Sequence, residues 1–173
     1  MLSRKNELFS TTPGRCPAAM KRRFLLDGML GRLCRKMRML GLDCELVAPG
    51  RSPCFLSDAG EGGRTAVTTA TRALDRRGSP PVVLRRSGAA EMIAELFAAI
   101  GETPEFEPFT ICLECNKPLR EIAPEEAEPR VPPRIASEFR EFRECAWCGR
   151  VYWKGSHYEA MEKQVEQILG RVK

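Results

Sequence analysis

The apolar positions of the chain follow two kinds of pattern, and their order predicts the order of the elements. Short apolar runs, several of them β-branched, predict buried strands at 24–26, 44–47, 65–69 and 81–84. Apolar residues at helical spacing predict helices at 28–41, 70–77 and 88–100, and a turn of helix at 55–58. Strands that alternate with helices indicate an α/β fold with a parallel sheet and right-handed crossovers.

Two closely spaced pairs of cysteines mark the second half of the chain. Cys112 and Cys115 form the first pair, and Cys145 and Cys148 form the second, each with two residues between. This spacing lets both thiolates of a pair face one ion, so the four predict a tetrahedral structural Zn²⁺ site. Residues 116–144 exceed the usual spacing of about 15–20 residues, which predicts an inserted segment. The alternatives are two disulfides or four unrelated core cysteines.

Changes in composition divide the chain into three predicted parts. Residues 1–19 lack the apolar stretch of a signal peptide and predict a disordered extension, after which Met20 is a candidate start of translation. Residues 20–107 hold the predicted α/β domain, and residues 108–173 hold the predicted zinc ribbon and a C-terminal helix. Within this last part the patterns predict a helix at 138–143, a strand at 151–153 and a helix at 156–169.

Charge and hydropathy narrow the class of protein. The 173 residues carry a net charge of +5, which fits an acidic partner such as nucleic acid, although an ordinary basic protein fits equally well. No apolar run approaches the roughly 18 residues of a membrane span, so a membrane partner is not expected. The remaining cysteines are scattered, and a reducing cytoplasm is the predicted location.

An acidic residue stands between the first predicted strand and the first predicted helix. A carboxylate in the position of Asp27, at the end of a buried strand, is a common active-site feature of open α/β sheets. The alternative is that it caps the helix. The face of that helix opposite its apolar residues predicts either an RNA-binding surface or a solvated one, and it carries Arg32, Arg35, Lys36 and Arg38.

The two ends of the chain resemble the Mut-seven carboxy-terminal RNase domain family. The similar segments are FLLDGMLGRL at 24–33, MRMLGLD at 37–43, CLECN at 112–116 and CAWCGRVYWKGSHY at 145–158. The resemblance covers residues 20 to 170 and implies a PIN-like α/β ribonuclease domain, a parallel sheet flanked by helices, joined to a C-terminal zinc ribbon. It also implies RNA as substrate and carboxylates that hold Mg²⁺ or Mn²⁺.

The resemblance assigns acids to the catalytic site and also shows where this chain departs from the family. Asp27 matches the family's first acid, and Asp58 falls near its second. The family pattern Thr-Arg-Asp-Arg is replaced by TATR at 69–72, so Thr71 offers a neutral hydroxyl in place of a carboxylate. Asp75, one helical turn further on, is the candidate replacement. The sequence therefore leaves two hypotheses, a divalent-metal ribonuclease and a non-catalytic RNA- or ribosome-binding protein. A third is an interaction module with no role in nucleic-acid binding.

Aromatic and polar residues follow the second cysteine pair. Trp153 and Tyr158 could stack on bases while Lys154 and His157 contact phosphate, and Lys154 joins the predicted RNA-binding set. Alternatively, Trp153 packs the ribbon and His157 caps the last helix. Trp147, inside the second pair, is expected to shield the zinc.

Overall fold

Four short parallel strands form the central sheet of this computed structural model, which describes residues 22–48, 51, 54–71 and 80–172. The strands are β1 (Phe24–Leu26), β2 (Cys44–Leu46), β3 (Thr65–Thr68) and β4 (Val82–Val83). They are arranged in the order β2-β1-β3-β4, and each neighbouring pair is parallel. The predicted α/β fold is therefore confirmed as a parallel sheet flanked by helices.

Helices cover both faces of this sheet because successive residues of a strand point to opposite sides. A 3₁₀ turn (Gly28–Leu30) leads into α1 (Gly31–Met39), which packs on one face with α3 (Ala89–Ile100) and α6 (Ser156–Val172). Phe24 and Leu26 face this main core. Leu25 points the other way, into a smaller apolar cluster with α2 (Phe55–Glu61).

The C-terminal helix belongs to the main core. Val165 and Ile168 of α6 are buried in the same cluster as Ile93 and Leu96 of α3. One turn after Ile168, at the C-terminal end of α6, Arg171 pairs with Glu91 at 2.8 Å. The division into 20–107 and 108–173 stays a prediction. Helix α6, which belongs to the second predicted part, packs in the core of the first.

The end of α1 depends on a glycine. Gly41 has φ +82°, and a Cβ built there would lie 2.1 Å from the backbone oxygen of Glu107. A residue with a side chain would meet both a strained backbone and a collision with the passing chain. The helix stop predicted at this glycine is confirmed.

A second, antiparallel sheet follows, made of β5 (Arg120–Ile122), β6 (Phe142–Glu144) and β7 (Val151–Trp153) in that order. Between β5 and β6 lie α4 (Pro124–Ala127), a 3₁₀ turn (Glu128–Arg130) and α5 (Pro133–Glu138). We call residues 108–155 the ribbon.

The helix predicted at 138–143 is wrong. Helix α5 ends at Glu138, and β6 pairs on both sides with neighbouring strands. Phe142 is buried in the ribbon core, and the charges beside it follow the two-residue period of a strand rather than a helical face.

Two further predictions fall mainly on residues that the structure does not describe, and a third concerns membrane spans. The extension at 1–19 lies outside the described residues, and so does nearly all of the helix predicted at 70–77. Among the residues that are described, no helix is both long and apolar enough to cross a membrane.

Candidate functional site

Asp27 lies in the crevice between β1 and β3. In the order β2-β1-β3-β4 the chain crosses to opposite sides of β1, and ligands of open α/β sheets bind at the carboxyl ends of strands beside such a switch point. Asp27 directly follows β1, and Thr68 is the last residue of β3. The position that the sequence assigned to Asp27 is therefore the one at which this fold type binds ligands.

A hydroxyl from the neighbouring strand holds the Asp27 carboxylate in place. Thr68, which is fully buried, donates a hydrogen bond of 2.9 Å from its Oγ1 to Oδ2 of Asp27. The backbone N–H of Ala70 donates to the same Thr68 oxygen at 3.0 Å, which leaves the hydroxyl proton for Asp27. Within the described chain Asp27 makes no capping hydrogen bond with its side chain, so helix capping does not explain it.

The second predicted catalytic acid is engaged by an arginine side chain. Asp58, on α2, is paired twice with Arg51, at 3.1 Å through Nε and 2.5 Å through Nη2. The Asp58 carboxylate raises the pKa of Arg51 above its ordinary value. Asp75 lies outside the described residues, and Thr71 is exposed. In the described ranges, three or more possible metal ligands come together only at the four cysteines, so no three-acid ion site is present there.

Three of the four basic residues of α1 lie where a ligand could reach them. Arg32 is exposed on the turn of α1 nearest Asp27. Arg35 is also exposed and pairs with Glu114 of the ribbon at 2.9 Å. Lys36 contacts the side chain of Gln164, and its pKa is lowered by burial and by the nearby charge of Arg35.

Arg38 does not lie on this surface, and its predicted place on an exposed basic face is wrong. Its side chain is buried and donates to the backbone oxygen of Cys44 at 2.8 Å. It also donates to the oxygens of Leu113 and Glu114, at 2.9 and 2.7 Å. The ribbon covers this end of α1, and its partly buried carbonyl groups accept these hydrogen bonds. Arg38 therefore joins the ribbon to the sheet.

The four paired cysteines form one compact cluster. Their sulfurs all lie within 4.8 Å of one another, and Cys112 and Cys148 are 3.8 Å apart. Zinc–sulfur bonds of about 2.3 Å in a tetrahedron place sulfurs about 3.8 Å apart, so the cluster fits Zn²⁺. None of the seven described cysteines is in a disulfide. The alternatives of two disulfides or four unrelated cysteines are therefore excluded for these residues.

Hydrogen bonds prepare one of these sulfurs for a metal. Burial raises the pKa of Cys112, but hydrogen bonds from Tyr152 and from backbone N–H groups outweigh it and bring the pKa to about 7. The Tyr152 hydroxyl lies 3.1 Å from the sulfur, and the Cys115 N–H lies 3.4 Å from it. A thiol that ionises near neutral pH is a better metal ligand than an ordinary one.

The two cysteine pairs share one backbone geometry. The residue after each pair has positive φ, +58° at Asn116 and +71° at Gly149. The N–H of each donates to the backbone oxygen of the first cysteine of its pair, at 3.0 Å to Cys112 and 2.8 Å to Cys145. We call residues 112–116 and 145–149 the first and second knuckles.

Asn116 fastens the first knuckle to the amino-terminal edge of the sheet. Its amide oxygen accepts from the N–H of Cys44 at 2.9 Å, and its amide nitrogen donates to Asp43 at 2.6 Å. Asp43 in turn accepts from Arg64 at 2.7 Å. Asp43 precedes β2 whereas Asp27 follows β1, so the ribbon and Asp27 lie at opposite edges of the sheet. Sequence reasoning missed this role of Asn116.

The aromatic residues after the second knuckle line a groove of about 640 Å³. The rings of Phe109 and Tyr158 lie 4.5 Å apart, and Trp153 is half-buried beside them. Lys154 at the rim pairs with Glu141 at 2.5 Å. Trp153 also packs against the ribbon core, as its structural interpretation predicts. His157 is exposed.

Comparison with known proteins agrees with this architecture. The family described as Mut7-C RNAse domain matches residues 22–165, from the segment before β1 to the middle of α6. No curated protein and no solved structure gives a significant match. The match covers both the crevice that holds Asp27 and the four-cysteine ribbon, and the chain belongs to the Mut7-C RNAse domain family.

Proposed function

We propose that this chain is a ribonuclease with a PIN-like domain that hydrolyses RNA phosphodiester bonds in a reaction dependent on Mg²⁺ or Mn²⁺. Membership of an RNase domain family supports RNA as the substrate. The observation that carries the proposal is Asp27, at the switch point of the sheet and oriented by the hydroxyl of Thr68. Four RNA-binding side chains are proposed: Arg32, Arg35, Lys36 and Lys154.

The protein's own part in this reaction is to place one carboxylate and to bind the RNA backbone. A divalent ion, when bound, neutralises phosphate charge and lowers the pKa of a bound water. Asp27 offers an oxygen ligand in the described crevice, and the described residues form no group of three acids there. Asp58 is paired with Arg51, and Asp75 remains a proposed replacement because it lies one helical turn after Thr71. We therefore assign no step of the reaction to the ion.

A non-catalytic RNA- or ribosome-binding protein is the second candidate. Two observations favour it over the enzyme. Thr71 offers no charge where the resemblance implies an acid, and Asp58 is engaged by Arg51. Removal of one positioned group from a catalytic site commonly lowers the rate about 10²–10³-fold. The exposed basic residues would still attract RNA by their charge.

Cleavage of an unstructured RNA with and without Mg²⁺ or Mn²⁺ separates the two candidates. The enzyme predicts metal-dependent cleavage that disappears in Asp27→Asn, while zinc content and thermal stability stay at the wild-type level. Asp58→Asn in parallel shows whether the second acid takes part. Thr71→Asp should raise the rate if the site lacks only that carboxylate. Wild-type protein that binds RNA in a salt-dependent manner and never cleaves it would reject the enzyme in favour of the binding protein.

A further inference from the structure

An indole ring projects into solvent from the second knuckle. Trp147 is 77% exposed, and a side chain exposed to that extent is not packed over the zinc-binding sulfurs as the sequence predicted. Among described residues, only Met29 and Leu46 are also large, apolar and exposed. Aromatic side chains of this size usually bury 150–250 Å² of surface, so the ring offers an open apolar face.

The backbone that carries this ring is held on both sides. Cys145 and Cys148 flank it within the four-sulfur cluster. Gly149 donates to the Cys145 oxygen at 2.8 Å, and Arg130 donates to the Gly149 oxygen at 2.6 Å. A group that is already fixed loses little conformational entropy when a ligand binds.

A positive charge lies over the ring. The ammonium group of Lys117, the residue after the first knuckle, lies 5.6 Å from the ring centroid. Lys117 and Arg150 are exposed, and neither forms an ion pair with another described residue. Glu114, the acid of the first knuckle, is neutralised by Arg35. The tip of the ribbon thus combines a free aromatic face with uncompensated cations.

We propose that Trp147 and Lys117 form a subsite that binds an unpaired RNA nucleotide, the indole by stacking on the base and the ammonium by contacting phosphate. A flat aromatic face beside a cation is the chemistry with which proteins bind single-stranded RNA. The proposal rests on the proposed function only in taking RNA as the ligand. The ribbon is fastened at the sheet edge opposite Asp27, so the subsite anchors RNA away from the reacting phosphate.

Fluorescence isolates this contact because the chain contains two tryptophans. In a Trp153→Phe background, the remaining emission comes from Trp147. Unstructured oligouridine should quench it, and quenching should persist when Asp27→Asn is added to prevent cleavage. The affinity of Asp27→Asn protein for the same RNA should fall roughly five- to a hundredfold on Trp147→Ala. Trp147→Phe should restore most of the affinity, and Lys117→Met should lower both the affinity and its salt dependence.

Duplex RNA of the same length provides the matched control. Its bases are already stacked, so Trp147→Ala should change its binding little. Equal affinity of Trp147→Ala and the parent for oligouridine, or no binding by either at low salt, would overturn the subsite. Neither the quenching nor the affinity depends on cleavage. If the wild-type protein fails to cleave RNA but binds it through Trp147, the proposed ribonuclease activity is rejected and the proposed subsite is supported.

Discussion

Thr68 and Asp27 lie at the carboxyl ends of adjacent parallel strands, and the hydroxyl of one donates to the carboxylate of the other at 2.9 Å. The N–H of Ala70 donates a second hydrogen bond to the threonine oxygen. The direction of the Asp27 carboxylate is thus fixed from β3, the strand that precedes Thr71.

Replacement of Thr68 should test this relationship. Thr68→Val keeps the buried shape but removes the hydroxyl, which leaves the Ala70 N–H without its acceptor and costs about 1–3 kcal/mol of stability. Cleavage of saturating RNA should slow at least about tenfold because the carboxylate loses its fixed direction. Thr68→Ser keeps the hydroxyl and should recover most of the rate. Equal single-turnover rates in the valine and serine variants would contradict the positioning role.

Loss of zinc should unfold more than the ribbon. The purified protein should contain about one equivalent of zinc, and Cys112→Ser should contain little. Because metal binding contributes to folding free energy, the thermal midpoint should fall by at least about 10 °C, as it should with a strong chelator. Cys54→Ser provides the control, since Cys54 is exposed and outside the cluster. A full equivalent of zinc in Cys112→Ser would reject the assigned ligands.

Replacement of Arg38 by alanine should lower the free energy of unfolding much more than replacement of Arg35. Arg38→Ala removes the guanidinium donor from carbonyl oxygens of β2 and the first knuckle, and we expect a loss of roughly 3 kcal/mol. Arg35→Ala removes one exposed ion pair and should cost no more than about 1 kcal/mol. Denaturant unfolding measures both. The order should reverse in an RNA-binding assay, where Arg35 matters more.

Alanine substitutions at two glycines distinguish the stability cost of backbone strain from that of steric collision. Gly101 and Gly41 both have positive φ, but a Cβ at Gly101 meets nothing within 4 Å. Gly101→Ala should therefore cost only the strain of the left-handed conformation, about 1–2 kcal/mol. Gly41→Ala adds the collision with the backbone at Glu107, and we expect at least about 3 kcal/mol. Similar losses in the two variants would show that the chain at Glu107 moves aside easily.

Local patterns were enough to predict the parts of the fold that depend on neighbouring residues. The segment from Phe24 to Gly41 encodes its strand, acid, helix and stop within twenty residues, and the structure confirms each of them. The cysteine pairs carry their own geometry in the same way. By contrast, the hydrogen bond from Thr68 to Asp27 joins residues 41 positions apart, and only the order of the strands brings them together.

The wrong predictions concern contacts and orientations that local residue spacing does not determine. Arg38 follows the polar spacing of α1, but the ribbon covers it, and helical spacing carries no information about a second element that docks later. Phe139 and Phe142 fit a helix as well as a strand, and burial of Phe142 between two strands decides for the strand. The sequence predicted that Trp147 shields the metal site because it lies between two of the four clustered cysteines, yet its side chain is exposed.

The packing of α6 against α3 has a consequence for how the protein folds. After α3 the chain runs through residues 101–107 and the whole ribbon before Val165 and Ile168 of α6 can be buried in the main core. Closing a long flexible loop is opposed by chain entropy that grows with the logarithm of its length. A zinc ion that gathers both knuckles shortens the free part of that loop before α6 docks. Zinc should therefore speed the last step of folding as well as hold the finished ribbon.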